Sequence, residues 1–192
     1  MDRKSDIGED RGMRGGDGGG RGGGERAPDS DAVPFGASWR RWAARRAHAK
    51  FARELELGAR CKVEGAAMAL GGTIRAPVSG RECVFWVVDD GGVRYPSEIA
   101  FLISDAEGRR VLVETERCVI DVPREEVTNR DGRPVLEGII APGDLAYAWG
   151  IVTGTHDVAF VDGYRSATNV ERRIRSTSID RAVIGRTSRA PK

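Results

Sequence analysis

Any chemistry in this chain has to come from a short set of side chains. Histidine occurs only at His48 and His156. His156 stands beside Asp157 in Gly154-Thr155-His156-Asp157, but neighbours in a chain normally point apart. The two therefore make a poor acid–base pair and read as turn formers. His48 lies among arginines in a helix-forming stretch. A serine nucleophile of the elbow type needs G-x-S-x-G, and Ser79 in Val78-Ser79-Gly80 lacks that frame. The acidic pairs Asp89-Asp90 and Glu125-Glu126 precede or occupy loops, where such pairs serve solubility. Gly18, Gly20 and Gly23 spell G-x-G-x-x-G, but with no strand before them and no helix after them the match carries no meaning.

The cysteines Cys61, Cys83 and Cys118 are widely spaced, with no C-x-x-C, so a zinc site of the usual spacing is excluded. Their odd number argues against a disulfide framework and for a reducing compartment. Each sits in an apolar run and reads as a small core residue. No Asp/Asn ladder of calcium-loop spacing occurs. With no nucleophile, base or metal set converging, neither catalysis nor a cofactor is expected.

The elements that would position these groups fall into four parts: a tail over 1–34, a basic amphipathic helix over 35–58, a β-domain over 59–185 and a basic end over 186–192. The first part is rich in glycine, aspartate and arginine and has too little apolar surface to offset the entropy of ordering, so it is expected to be disordered. Its Arg-Gly-Gly triplets at Arg14 and Arg21 resemble RNA-binding segments, but acidic residues nearly match the arginines. Arginine far outnumbers lysine, a bias of GC-rich, bacterial coding.

Net charge is segregated: 1–37 carry −2, 38–62 carry +6, 63–163 carry −8 and 164–192 carry +6. Basic segments flanking an acidic body either neutralise that body or face an anionic partner. Ser38 is a good N-cap, and the following alanines and arginines favour a helix to residue 57. Ala43, Ala47, Phe51 and Leu55 form its apolar stripe, and Gly58 is its stop. That stripe could dock on the β-domain. Alternatively Trp39 and Trp42 could lie at headgroup level, with Arg40, Arg41, Arg45 and Arg46 on anionic lipid.

From residue 59 the periodicity changes from helical to two-residue. Strands are expected over 61–63, 83–88, 100–104, 109–113, 117–122, 136–140, 145–152, 158–161 and 179–184. Asp105-Ala106-Glu107-Gly108 reads as a hairpin turn and Pro142-Gly143 as the centre of a type II turn. In 145–152 large residues alternate with small ones, as in a curved strand with one crowded face. Short strands joined by turn chemistry predict an all-β small barrel or sandwich, OB-like. No apolar run approaches the ~20 residues of a membrane span, and the charged N-terminus does not read as a signal peptide.

Several runs in order carry a family resemblance. Arg75-Ala76-Pro77-Val78-Ser79-Gly80-Arg81-Glu82-Cys83, followed by Val84-Phe85-Trp86, resembles the entry motif of the GIDE-type domain of ubiquitin-ligase-like membrane proteins. Phe101, Asp105 and Gly108 with Val111-Leu112-Val113 resemble its middle hairpin. Pro142-Gly143-Asp144-Leu145 with Tyr147 and Gly150 resembles its late strand, and Gly163-Tyr164-Arg165 its tail element. The resemblance spans about 59–185. It implies a domain that senses or binds partners beside a membrane, with Pro77, Ser79, Gly80, Cys83, Trp86, Asp105, Gly108, Pro142, Gly143, Asp144, Tyr147, Gly163, Tyr164 and Arg165 as its motif residues. The ligases carry a RING rich in cysteine and histidine, which this chain lacks, so ubiquitin transfer by this polypeptide is not expected.

The expectation is thus a non-catalytic, GIDE-like binding module, cytoplasmic and peripheral to an anionic membrane, recognising a protein or small ligand. Nucleic-acid binding through the barrel and its basic flanks, and a role beside a RING supplied by another chain, are the alternatives.

Overall fold

The computed structural model describes residues 34–154, 170–177 and 180–187. The expected strand at 158–161, the His156–Asp157 pair, Gly163, Tyr164, Arg165 and the glycine-rich tail lie outside the described residues.

Alternating apolar residues build a closed barrel of five strands. These are β1 (Arg60–Ala69), β6 (Phe101–Ser104), β7 (Arg110–Val113), β11 (Leu145–Gly154) and β12 (Val170–Arg175). Around the barrel they run β1-β6-β7-β12-β11 and back to β1; β7 and β12 are parallel and the other neighbours antiparallel. Numbered along the chain, that order is 1-2-3-5-4-1, an OB-like small barrel. β1 closes it by serving two partners, β11 through residues 60–66 and β6 through 66–69. Gly65 stands at this change of partner, where a β-carbon would lie 1.9 Å from the carbonyl oxygen of Ser104. Only glycine permits so close a backbone crossing.

The interior is filled by Val63, Phe101, Ile103, Val111, Val113 and Ile174 with the small Ala146 and Ala148. Each large aliphatic or aromatic side chain so buried stabilises by about 1.5–3 kcal/mol. The alternation in β11 is resolved by this packing. Its small residues face the barrel interior, and Tyr147 and Trp149 face outward into a second apolar layer.

Two insertions between barrel strands supply the rest. The first carries the two-stranded β2 (Ile74–Arg75) and β3 (Glu82–Cys83), then β4 (Phe85–Asp90) and β5 (Val93–Pro96). The second carries β8 (Val119–Asp121), β9 (Glu125–Thr128) and β10 (Pro134–Ile140). Strands β5-β4-β10-β9 form a separate antiparallel sheet, which packs Phe85, Val87 and Ile140 into the main core. β13 (Val183–Arg186) lies antiparallel to the first half of β11, and β8 runs parallel to β13.

Helix α1 (Pro34–Arg46) lies over this extension. Ala44 is fully buried there against Val119, Tyr147, Trp149 and Val183. The helix expected over 35–58 therefore ends twelve residues early, at Arg46. Beyond it the backbone finds better partners than its own next turn. Ala49 bridges Lys62, the Lys50 amide donates to the Lys62 carbonyl (2.9 Å), and the Ala52 amide donates to Asp105 Oδ2 (2.8 Å). A single 3₁₀ turn, Ala52–Glu54, then delivers Leu55 into the main core. The stripe Ala43, Ala47, Phe51, Leu55 is split: the alanines serve the helix seat, Leu55 the barrel, and Phe51 is exposed. Gly58 (φ +79°) turns the chain into β1 and does not stop a helix.

Candidate functional site

A polar cavity of about 650 Å³ opens where the C-terminal end of α1 meets β1, β8, β11 and β13. Strand register creates it. Glu64 on β1 is opposite Tyr147 on β11, Tyr147 is opposite Gly185 on β13, and Gly185 is opposite Asp121 on β8. These four residues form one row across four neighbouring strands. The row is crossed because Gly185 has no side chain: a β-carbon there would lie 2.5 Å from the Tyr147 ring. The Tyr147 hydroxyl donates to Asp121 Oδ2, and Arg45 from the last turn of α1 grips the same carboxylate through Nε (2.6 Å) and a terminal nitrogen (2.5 Å). Burial and then the Asp121 carboxylate push the Tyr147 phenol well above its ordinary range. Asp121 holds Arg45 still more firmly protonated.

Lys62 is 7% exposed, with Nζ 3.2 Å from Glu64 and 4.9 Å above the Tyr147 ring. Arg186 and Thr187 complete the rim with Val122 and Pro123, and Arg186 pairs with Asp144 at 3.3 Å. The other end of the helix seat is ionic as well. Arg40 and Arg60 both bind Asp180, and Arg60 stacks 4.7 Å over Trp149. Burial pulls the Asp180 carboxyl upward, but the hydrogen bonds and charges of Arg60 and Arg40 outweigh it and hold the group below the usual range.

The outer side of α1 is different. Trp39 and Trp42 are 55% and 52% exposed, and the Arg46 guanidinium lies 4.7 Å over the Trp42 ring. Ser38, Arg41, Trp42, Arg45 and Arg46 line a shallow hollow of about 350 Å³. Arg41 Nε is buried there with no hydrogen-bond partner among the described residues. Of the residues expected at an anionic surface, Arg40 and Arg45 are engaged with the body of the protein, Arg41 is half-buried at the hollow, and Trp39, Trp42 and Arg46 are exposed. The helix is both docked and outward-presenting, so the two sequence alternatives are not exclusive.

The motif residues fall in separate places, most of them in turns. Pro77, Ser79 and Gly80 wrap a buried carboxylate: the amides of Val78 and Ser79 donate to Glu137 (3.0 and 3.2 Å), which is fully buried. Cys83 is buried beside that turn, its thiol pushed up to about 11 by burial and by Glu137. Trp86 is half-buried against the same cluster. Asp105 accepts the amides of Ala52, Glu107 and Arg109, with Gly108 closing the hairpin at φ +76°. Pro142 and Gly143 form a turn closed by the Ala141 amide donating to Asp144 Oδ2 (2.9 Å). Among the described motif residues, only Tyr147, and Asp144 through Arg186, reach the cavity.

Sequence reasoning missed Lys62, Glu64, Asp121, Arg186 and Glu137 as a functional or structural set. A signal existed for the last: Glu137 shares its strand parity with the apolar Val135 and Ile139, so it had to be buried.

Compared with known proteins, the chain matches no family model, no curated protein and no solved structure.

Proposed function

We propose that this chain is a non-catalytic binding module of GIDE-like type, whose barrel recognises a protein or small ligand while α1 rests on an anionic membrane surface at the cytoplasmic side. The observation that carries the reading is the outer side of α1. Two half-exposed tryptophans stand beside Arg41 and Arg46 on a helix whose opposite side is fixed to the barrel. Tryptophan favours the headgroup level, and each arginine near an anionic surface contributes about 1 kcal/mol. Because the helix is held rigidly, little ordering entropy opposes contact. No described helix is long and apolar enough to cross a membrane, so the contact considered is a peripheral one.

The nucleic-acid alternative is less well supported. OB barrels commonly bind strands on the face of their second and third strands. Here those strands present Leu102 and Leu112, both buried in an apolar cluster with Met68 and Leu70. Among the described residues the exposed aromatics, Trp39, Trp42, Phe51 and Tyr95, lie elsewhere. A role beside a RING depends on a second chain to supply it.

Vesicle co-sedimentation tests the membrane reading. The chain should pellet with phosphatidylcholine–phosphatidylglycerol vesicles at low salt, not with phosphatidylcholine alone. Salt and the Trp39→Ala/Trp42→Ala pair should each abolish pelleting. Equal behaviour of the wild type and the double variant would overturn it.

A further inference from the structure

We infer that the cavity beneath the end of α1 is a binding site for a small phosphate-bearing ligand. The inference rests on unspent hydrogen-bonding capacity and does not depend on the membrane contact of the outer tryptophans. The lining carries three cations, Arg45, Lys62 and Arg186, against two carboxylates, Asp121 and Glu64. Each carboxylate is paired with one of these cations. Asp121 receives two bonds from Arg45 and one from Tyr147, and Glu64 faces Lys62.

The donors are not used up. An ammonium has three N–H groups and a guanidinium five. Lys62 directs one toward Glu64, and Arg186 gives one to Asp144. The Thr187 hydroxyl stands on the same rim. A ligand completing this site must therefore supply acceptors and negative charge.

The shape narrows the class. The donors come from β1, from the end of β13 and from α1, so they approach from separate directions. A carboxylate offers its acceptors in one plane, whereas phosphoryl oxygens point in three directions and suit a divergent set. The cavity volume of about 650 Å³ falls within the range of small-molecule sites, leaving room for more than the phosphate itself. Lys62 is well prepared for the role. The residue is 7% exposed and its ammonium is already held over the Tyr147 ring, so little side-chain freedom is lost on binding.

The source of the phosphate is either a free metabolite or a lipid headgroup, and the two are separable. Amide spectra of the full chain would be recorded during titration with inorganic phosphate at constant ionic strength, with chloride as the control. Saturable shifts are expected at the amides of Lys62, Tyr147, Gly185 and Thr187. Lys62→Met should weaken binding at least about tenfold, a loss of about 1.4 kcal/mol. Thr187→Val, on the rim and less buried, should weaken it several-fold. The Trp39→Ala/Trp42→Ala pair should leave it unchanged, which separates this site from the membrane contact. Glycerol phosphate displacing inorganic phosphate while phosphatidylglycerol vesicles leave these amides unmoved assigns a free ligand; vesicles moving the same amides assign a headgroup. The inference is overturned by shifts that do not saturate or that chloride reproduces, or if both Lys62→Met and Thr187→Val bind as the wild type does.

Discussion

Tyr147 donates its hydroxyl hydrogen to Asp121 across the full width of the strand between them, passing over Gly185. The strand β13 is thus bridged on its outer face by a side-chain bond parallel to its backbone bonds. Gly185→Ala places a methyl group 2.5 Å from the ring, so the ring must leave and the bond with it. Overpacking of this kind costs about 1–3 kcal/mol. Tyr147→Phe removes the hydroxyl alone and leaves Asp121 on Arg45, which costs about 1 kcal/mol. Urea denaturation should rank Gly185→Ala as the more destabilising of the two.

Asp180 predicts the acid limb of the stability curve. Its folded-state pKa lies below the ordinary value of 3.8, so it contributes stability that is complete at neutral pH and is lost as pH falls through the carboxylate range. Asp180→Asn removes that dependence. The variant should be less stable than the wild type at pH 7, with the gap narrowing as the pH approaches 3 or below, as followed by thermal melts across a pH series.

The thiols predict slow chemistry. All three cysteines are buried, and those of Cys83 and Cys118 are pushed up to about 11, chiefly by burial. Cys83 and Cys118 therefore carry almost no thiolate at pH 7, and the thiolate is the reactive form. Alkylation by iodoacetamide should be slow in the native chain and accelerate only with global unfolding. Rapid labelling of Cys83 in the folded state would show that the turn around Glu137 opens locally.

Glu137 predicts the integrity of that turn. Its carboxylate is the acceptor for the amides of Val78 and Ser79, and Glu137→Ala leaves both without it. Val78 is half-buried and Ser79 exposed, so water replaces part of what is lost and the expected cost is about 1 kcal/mol for each bond. Glu137→Gln retains one carbonyl acceptor and should lose less. Hydrogen exchange at the Val78 and Ser79 amides should quicken in the order wild type, glutamine, alanine.

The barrel was legible because its evidence is local. Alternation in 61–63 and 145–152, and the turn at 105–108 with its flanking runs 100–104 and 109–113, correspond to β1, β11 and the β6–β7 hairpin. What escaped depends on partners distant in sequence. Propensity extends the helix past Arg46, because alanine, arginine and leucine favour helix. No propensity reports that Asp105, fifty-three residues away, will take the Ala52 amide. β12 escaped because Arg172, Arg173 and Arg175 surround Ile174 on both parities, so no apolar alternation shows. The cavity escaped for the same reason as the helix end: Glu64, Tyr147, Gly185 and Asp121 form a row only once four strands are aligned. Glu137 was the exception, since a carboxylate at a buried parity needs donors, and the Pro77–Gly80 turn supplies them.

The dispersal of that cavity along the chain has a kinetic meaning. Its charged side chains come from positions 45, 62, 64, 121 and 186, so no continuous stretch of polypeptide carries it. Contacts of such large sequence separation form only after the entropy of several long loop closures has been spent. During refolding the cavity would appear with the docking of β13, after the local hairpins are in place. A ligand held there would act as a report that α1, β8 and β13 have docked on β1 and β11, and by mass action would bias the chain toward that docked state.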